Sequence, residues 1–475
     1  MPLPDLIEIV PLSRPVRAEI TVPGSKSITN RALILAALAD GEITLTGALW
    51  SEDTQIMVEC LQKLGFEIRV EDDPAEFCNR TVTVKGLGGK IPRAGTAEMP
   101  LELFVGNAGT AARFLSAFVC LGNGVFHLSG VARMHERPQA ALFSALRELG
   151  YRVDSEQAND KLPVRLIGDG KDGFHSVPNL KSKDGDAVER VPTTRSCKVS
   201  IEESSQFASA LLLCAKVGNW QVEVIGENAE ESPYVVMTSK LMQMFPHNGG
   251  TFQIEPDASS GSYFWAVSML DWLSTWKPRL NSLPIGPQEP MDLNLLYKTS
   301  WFGARVLNWP TSTWQIDEQF PMWQCHKLVS REKSLGDSIM TAMVVASFGK
   351  SPTKFTDLAR LRVQECERVV ALRTELTKCG AKVIEEGDTL TVYPSELNGA
   401  EIETYHDHRM AMCFAILGLK VPGIKIKNPA CVKKTFPNFF QKVAGPPPNG
   451  LGALIWEIKD GQRTRKLAGE DLFAD

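Results

Sequence analysis

A strand, a tight turn and the start of a helix follow one another in the stretch Thr21-Val22-Pro23-Gly24-Ser25-Lys26-Ser27-Ile28-Thr29-Asn30-Arg31. Pro23 and Gly24 break the strand, and the apolar residues 32–38 predict the helix. Lys26 and Arg31 would then lie at a helix N-terminus, where backbone N–H groups and the helix dipole favour anions. The stretch is not a Walker A motif, because Ser25 stands where that motif needs a glycine. Taken alone, it is more simply a capped helix with two solvated cations.

Seven further segments carry glycines, cations or small polar residues of the kinds that bind anions. They are residues 103–113, 133–138, 204–207, 257–264, 362–368, 405–412 and 433–437. Together with the first stretch, and in this order, they resemble the 5-enolpyruvylshikimate-3-phosphate synthase family. The resemblance extends from about residue 11 to residue 443.

The composition is that of a globular protein that concentrates its cations locally. Of the 475 residues, 43% are hydrophobic and 23% are charged, and the formal net charge is −5. Nucleic-acid binding usually needs a basic face, so a nucleic-acid partner is not expected. No apolar run reaches membrane length and residues 1–5 do not resemble a signal peptide, so no membrane partner is expected either.

The cysteines and histidines indicate a cytoplasmic protein without a metal. The ten cysteines lack zinc-site spacing, and Cys120, Cys214 and Cys413 lie in apolar helical runs typical of reduced core residues. The seven histidines show no metal-binding pattern. We therefore expect no metal and no organic cofactor. Nothing in the sequence indicates an oligomer, so a monomer is expected.

A helix–glycine–strand pattern recurs at Gly65, Gly150 and Gly380, with looser copies near Gly250 and Gly303. Each copy combines the end of an amphipathic helix, a glycine cap and an alternating strand. The pattern is common in α/β proteins, but its repetition predicts several copies of one α/β module. The resemblance implies the remaining architecture, an α/β fold of two globular domains, each of three βαβαββ-type units, with a cleft between them.

The resemblance also implies that the chain crosses twice between the domains, near Val22-Pro23 and near Pro256-Asp257. Residues 1–22 and 257–443 would form domain I, and residues 23–256 would form domain II. Residues 444–475 begin with a run of glycine and proline and are expected to be a linker and a C-terminal tail.

Two internal segments fit the family less well. Residues 169–196 are rich in Gly, Lys, Asp and Ser and predict an extended surface loop. Residues 265–323 hold seven of the ten tryptophans, and little resemblance is found between residues 271 and 336. Buried tryptophans are expected there in preference to an exposed interface.

The resemblance implies a transferase of the shikimate pathway, which leads to the aromatic amino acids. The enolpyruvyl group of phosphoenolpyruvate would move to the 5-hydroxyl of shikimate 3-phosphate, and phosphate would leave. A cleft that holds two such anionic substrates needs a ring of Arg and Lys. By matched motif position, the phosphoenolpyruvate site would contain Lys26, Asn107, Gly109, Arg137, Gln206, Arg368, Arg409 and Lys434.

Three residues match catalytic positions of the family. Asp337 would take the hydroxyl proton, Glu365 would transfer a proton near the methylene carbon, and Lys26 would serve both catalysis and binding. Taken alone, Asp337 would more simply be a helix N-cap. His408 and Asp407 are expected to orient Arg409.

The acceptor site departs in part from the family. Its matched positions are Lys26, Ser27, Arg31, Ser204, Ser205, Gln206, Glu231, Tyr234, Asp337, Arg360 and Gln364. Arg31 and Ser27 are expected to hold the ring carboxylate. Glu231 replaces a serine, whereas Arg360 and Gln364 replace an asparagine and a lysine that surround the acceptor's 3-phosphate. Each charged contact is worth roughly 1–3 kcal/mol, so these changes matter.

Three alternatives remain open. A paralogue could use the same donor with another, unphosphorylated cyclic alcohol, as Glu231 and Gln364 suggest. A related enzyme acts on a UDP-aminosugar, but it needs a cysteine near Met134-His135, where this chain has none. An inactive scaffold protein is the third, although it has no chemical need for Asp337. Glyphosate, which mimics the donor in this family, is expected to inhibit because Gly109 leaves room for it, although Phe114 replaces a frequent proline.

Overall fold

A computed structural model describes residues 3–169, 194–226, 232–271, 273, 303–323 and 326–474. The strands in chain order are β1 (Leu6–Val10), β2 (Arg17–Ile20), β3 (Glu42–Leu49), β4 (Ile68–Asp72), β5 (Asn79–Lys85), β6 (Leu101–Phe104), β7 (Asn123–Ser129), β8 (Arg152–Ser155), β9 (Val164–Asp169), β10 (Arg195–Ser200), β11 (Trp220–Ile225), β12 (Gly250–Gln253), β13 (Gly303–Val306), β14 (Leu328–Ser330), β15 (Thr353–Thr356), β16 (Val383–Glu386), β17 (Thr389–Val392), β18 (Glu401–Ile402), β19 (Ile424–Lys427), β20 (Leu454–Lys459) and β21 (Gln462–Leu467).

Helices alternate with these strands, which makes the fold mixed α/β as expected. They are α1 (Lys26–Leu38), α2 (Glu52–Lys63), α3 (Gly109–Phe118), α4 (Ala132–Glu136), α5 (Ala140–Glu148), α6 (Ser205–Gly218), α7 (Pro233–Met244), α8 (Ala258–Asp271), α9 (Ile339–Ala346), α10 (Ala359–Arg362), α11 (Arg368–Lys378), α12 (His408–Gly418) and α13 (Phe439–Ala444). Short 3-10 helices span Val119–Leu121, Ile316–Met322, Pro429–Lys434 and Gly469–Leu472.

The sheets repeat one topology. The strand orders β12-β3-β5-β4, β6-β7-β9-β8 and β14-β15-β17-β16 each begin with a parallel pair, which two antiparallel pairings follow. The five-stranded sheet β18-β19-β1-β20-β21 begins in the same way. β10 and β11 form a parallel pair, and so do β2 and β13. The predicted repetition of one α/β module is confirmed.

The repeated glycines lie where the sequence places them. Gly65, Gly150 and Gly380 have φ values of +96°, +88° and +89°, and each follows a helix and precedes a strand. A left-handed residue at this position ends a helix and turns the chain, and glycine adopts that conformation without steric cost.

Two separate hydrophobic cores organise the chain. Core I takes its buried residues from 3–22 and 263–474, whereas core II takes them from 28–254. The two crossings lie side by side, because Gly24 forms an antiparallel bridge with Pro256 and Asp257 N–H donates to the Pro23 carbonyl at 2.8 Å. We propose that the two cores are domains I and II and that this paired crossing is the hinge between them.

The C-terminal segment is folded, which corrects the expectation of a linker and tail over residues 444–475. β20 pairs with β1 and places Ile455 opposite Ile9, and both side chains are fully buried in core I. Beyond β21, the Phe473 ring contacts the exposed Phe77 just before β5, with ring centroids 5.3 Å apart. β21 lies at the edge of the sheet, and most of its side chains are polar and exposed. Its sequence therefore shows no pattern of a core strand.

The two segments that fit the family poorly are described only in part. Most of the predicted surface loop, residues 170–193, lies outside the described residues. Trp265 and Trp323 are buried as predicted, whereas residues 274–302 are again outside the described part. Among the described residues, no helix has the length and apolarity needed to cross a membrane.

Replacing Ile455 by Ala should lower the free energy of unfolding by about 2–4 kcal/mol, because it removes a fully buried side chain from core I. Leu454→Ala is the matched control, since the neighbouring Leu454 is 41% exposed and should cost less than about 1 kcal/mol. Urea denaturation measures both. Equal small effects would mean that the C-terminal hairpin does not share the core.

Candidate active site

Helix N-termini from both cores meet in one cleft. Core II contributes the starts of α1, α3, α6 and α7, and core I contributes the starts of α8, α11 and α12. Backbone N–H groups and helix dipoles favour negative charge at each of these ends. Cationic side chains line the same cleft, namely Lys26, Arg113, Arg137, Arg331, Arg360, Arg368 and Arg409.

Lys26 begins α1 and pairs with a carboxylate that the sequence did not indicate. Its Nζ lies 3.0 Å from Asp53 Oδ2, and Asp53 is buried in the first turn of α2. Across the cleft wall, Gly109 begins α3 beside the guanidinium of Arg137. A Cβ on Gly109 would lie 2.6 Å from Arg137 Nη2, so the missing side chain allows the arginine to pack there.

Gln206 in the first turn of α6 connects two further groups. Its Oε1 accepts a hydrogen bond from Arg113 Nη1 at 2.6 Å, and its Nε2 donates to Thr110 Oγ1 at 3.1 Å. Burial and the charge of Arg137 lower the pKa of Arg113 to about 9. Sequence reasoning missed Arg113 as a site residue, although it belongs to a quoted motif.

A buried ion network joins the start of α11 to the start of α12. Arg368 is 1% exposed and binds both oxygens of Asp407, at 2.7 Å through Nε and 3.2 Å through Nη2. Glu365 lies 2.8 Å from Arg368 and 3.1 Å from Lys434 Nζ. Burial alone would raise the pKa of Glu365, but these cations hold it well below its usual range. Glu365 is therefore ionised at neutral pH.

Asp337 lies between two arginines just before α9. Its oxygens lie 2.9 Å from Arg331 Nη2 and 3.0 Å from Arg409 Nη2. Burial opposes ionisation of the carboxyl, but Arg409 and Arg331 hold the pKa of Asp337 below its usual range. These contacts favour a site role over the simple N-cap alternative, because Ser338 occupies the cap position.

Asp317, which the sequence did not indicate, fixes the segment that carries Asp337. It accepts hydrogen bonds from Gly336 N–H at 2.7 Å, from Ser338 Oγ at 2.5 Å and from Ser259 Oγ. Asp317 lies in the tryptophan-rich region, in a 3-10 helix, and thereby connects that region to the cleft.

The expected arrangement around Arg409 needs one correction. The Asp407 side chain caps α12 by accepting from Arg409 N–H at 2.8 Å, but its ion pair is with Arg368. The Arg409 guanidinium is held by Asp337 instead. His408 is 1% exposed, and its two ring nitrogens have no hydrogen-bond partner among the described residues. Burial and the charges of Arg409 and Lys26 lower the pKa of His408 well below its usual value, so the ring is neutral.

Hydrogen bonds between the two cores close the cleft. Lys434 Nζ of core I donates to the Asn107 carbonyl of core II at 3.2 Å. Arg133 Nη2 donates to the Gln364 carbonyl at 3.1 Å, and Arg360 Nη2 donates to the Ile201 carbonyl at 2.7 Å. The described structure is therefore a closed arrangement of the two cores.

Most sequence-predicted acceptor residues line the cleft, but one lies behind its wall. Ser27, Ser204, Ser205, Gln206, Tyr234, Arg360 and Gln364 belong to the lining. Arg31 is 1% exposed and donates to Thr238 Oγ1 at 2.7 Å, to the Ser27 carbonyl at 2.8 Å and to Ser209 Oγ at 2.9 Å. Arg31 thus ties α1 to α6 and α7. This role differs from the expected role as a ligand of the ring carboxylate. Glu231 lies outside the described residues.

Comparison with known proteins assigns this chain to one family. The family model for EPSP synthase (3-phosphoshikimate 1-carboxyvinyltransferase) matches residues 11–248 and 246–443. The chain belongs to the EPSP synthase family. Relatives named 3-phosphoshikimate 1-carboxyvinyltransferase are 35% identical in Trichormus variabilis, over 92% of this chain and 98% of the relative, and 35% identical in Opitutus terrae, over 94% and 98%.

Experimental structures of enolpyruvyl transferases share the fold. The EPSP synthase of Acinetobacter baumannii superimposes with a TM-score of 0.60 at 20% identity, covering 95% of this chain and 100% of that one. The enolpyruvyl transferase NikO from Streptomyces tendae gives 0.56 at 14% identity, covering 96% and 99%. These likenesses support the mixed α/β fold and no finer property.

Glu365→Gln should destabilise the protein by about 3 kcal/mol at pH 7, because it leaves the buried cations Arg368 and Lys434 with less compensation. A carboxyl whose folded pKa is lowered stabilises the folded state above the unfolded pKa, near 4.3, and loses that effect as pH falls further. The difference in the free energy of unfolding between this variant and wild type should stay constant between pH 8 and pH 5 and shrink below about pH 4. Urea unfolding across this range measures it.

Glu386→Gln is the matched control, because Glu386 is exposed on β16. It should change the free energy of unfolding by less than about 0.5 kcal/mol at every pH. A Glu365→Gln difference that grows as pH falls would contradict the ionised state of this carboxyl.

Proposed function

We propose that this protein is a 3-phosphoshikimate 1-carboxyvinyltransferase, which moves the enolpyruvyl group of phosphoenolpyruvate to the 5-hydroxyl of shikimate 3-phosphate and releases phosphate. The observation that carries the proposal is the placement of two ionised carboxylates, Asp337 and Glu365, in one cation-lined cleft between two domains. Family membership and relatives of that name support it.

The reaction requires proton transfers at two centres. The acceptor hydroxyl loses its proton as its oxygen bonds to the central carbon of the donor, and the donor methylene gains one. Loss of phosphate and return of a methyl proton then restore the double bond. Asp337 would receive the hydroxyl proton, and Glu365, close to the donor cations, would exchange protons at the methylene carbon. Lys26, at the start of α1, would assist both steps.

The donor carries a phosphate and a carboxylate, and both groups require cations in the site. We assign its phosphate and carboxylate to the cations around Glu365, where bidentate guanidinium groups suit both anions. Gly109 allows close approach, Gln206 offers a neutral amide, and the Asn107 carbonyl holds Lys434 in place. The assigned cations are Lys26, Arg137, Arg368, Arg409 and Lys434.

Closure of the cleft suits this chemistry. Two domains lined with cations repel each other in the absence of anions, so bound substrates would favour the closed form and exclude water.

We assign the acceptor ring to the serines at the start of α1 and α6 and to Tyr234. We also place the enzyme in the cytoplasm as a monomer, as its sequence predicts.

Phosphate release from phosphoenolpyruvate tests the proposal directly. Shikimate 3-phosphate and unphosphorylated shikimate are supplied in parallel. Turnover of about 1–10³ per second with the phosphorylated acceptor is expected. Turnover only with a different cyclic alcohol would establish a changed acceptor, and absence of turnover together with retained donor binding would favour a scaffold protein.

Asp337→Asn should lower kcat by about 10²–10⁴-fold, because an amide cannot accept the hydroxyl proton. The KM for phosphoenolpyruvate should change by less than about threefold. Steady-state kinetics at pH 7 measure both, and Glu386→Gln serves as the exposed control. A variant with near-normal kcat would exclude Asp337 as the base.

Gly109→Ala should raise the KM for phosphoenolpyruvate and weaken inhibition by glyphosate, which we propose binds the donor site. The added Cβ would lie 2.6 Å from the Arg137 guanidinium and displace it. Inhibition of the wild type competitive with phosphoenolpyruvate is expected. No inhibition of the wild type far above the donor KM would overturn the glyphosate assignment.

A further inference from the structure

We propose that Arg331 and Arg360 together bind the phosphate group of the acceptor, and that Arg331 connects this phosphate to Asp337. The inference rests on the proposed function and assigns its acceptor specificity to a pair of arginines. Arg331 belongs to the segment with little family resemblance, so no motif pointed to it.

Arg331 is a buried cation with hydrogen-bonding capacity left over. It is 6% exposed, lines the cleft and follows β14 directly. One end of its guanidinium donates to Asp337 at 2.9 Å, but its buried Nε–H has no partner among the described residues. Leaving a buried donor of a charged group unpaired is costly, so this position favours an acceptor from outside the chain.

Arg360 brings a second positive charge to the same part of the cleft. It lies in α10, lines the cleft and donates to the Ile201 carbonyl at 2.7 Å, a neutral group that does not offset its charge. Burial and the nearby charge of Arg331 both lower the pKa of Arg360, which places the two guanidinium groups within electrostatic reach of each other. Glu332 offsets part of this charge from an exposed position.

The nearest buried carboxylate cannot neutralise both arginines. Asp337 is shared between Arg331 and Arg409, so its single negative charge is divided between two cations. Tyr234 lies against the same groups, and burial together with the charge of Asp337 raises the pKa of its hydroxyl, which stays a neutral donor. A dianion with several oxygens would satisfy the free donors and relieve the repulsion between the arginines.

Gln364 explains why the charge has to come from other positions. Its side-chain oxygen accepts from Arg368 Nη1, so the amide is engaged in the donor-side network. Arg331 and Arg360 instead supply two guanidinium groups, which bind phosphate oxygens bidentately. Arg331 and Arg360 would therefore select the phosphorylated acceptor in place of the lysine that Gln364 replaces.

The test compares Arg331→Met and Arg360→Met with wild type for two acceptors. Calorimetric titration with shikimate 3-phosphate should show Kd rising about 10–100-fold in each variant, which corresponds to the loss of one charged hydrogen bond. Kd for unphosphorylated shikimate and KM for phosphoenolpyruvate should change by less than about threefold. Arg331→Lys, which keeps the charge, should recover part of the affinity.

Arg373→Met is the matched control, because Arg373 pairs with Glu385 on the surface of the same domain and is 44% exposed. It should leave all constants within about twofold. Arg360→Met separates phosphate binding from the base, since Arg331→Met also removes a partner of Asp337 and should lower kcat as well. Thermal unfolding verifies that each variant is folded.

The outcomes separate the inference from the function on which it rests. Wild type that neither binds nor turns over shikimate 3-phosphate would overturn the proposed function. Wild type that turns it over, with both Met variants keeping its Kd within threefold, would overturn the arginine assignment alone. Equal losses for the phosphorylated and unphosphorylated acceptors would also overturn it, because they would indicate a general structural effect.

Discussion

The buried ion pair between Arg368 and Asp407 is the contact on which the site depends. Asp407 caps α12 through a backbone N–H and holds the Arg368 guanidinium with both oxygens, so one carboxylate fixes two helix starts. Removing one member of a buried pair typically costs about 3–5 kcal/mol, because the other charge remains desolvated. Glu365 is positioned in turn by Arg368, and Lys434 by Glu365. The donor side is thus a chain of alternating charges anchored at one residue.

Two further carboxylates of the cleft hold its other cations in fixed positions. Lys26 rests against Asp53, and Arg331 and Arg409 rest against Asp337. The Lys26–Asp53 and Arg409–Asp337 pairs each connect two different segments, so the cleft keeps its shape although it is rich in like charges. A substrate anion that enters must compete with the internal carboxylates, and this competition favours ligands that carry several negative charges over those that carry one.

The sequence predicts the fold and much of the site because both repeat simple local rules. Gly65 and its counterparts mark module boundaries, and many of the motif residues converge because they begin helices. Asp53, Asp317 and Arg331 could not be predicted in this way, since their roles depend on pairings that no local sequence pattern indicates. Adjacency misled once, because Asp407 neighbours Arg409 in sequence but pairs with Arg368 in space. The C-terminal hairpin was missed because the basic strand β21 lies at a sheet edge and exposes most of its side chains.

The position of β1 between β19 and β20 means that the first and last strands of the chain complete one sheet. Core II is built from the continuous residues 28–254 and can fold as soon as they are synthesised. Core I must keep β1 unpaired until residues 424–467 emerge, a delay of roughly 20–90 s at ordinary rates of translation. The unpaired β1 is therefore the part of the nascent chain that most needs protection, and pairing with residues 424–467 ends its exposure.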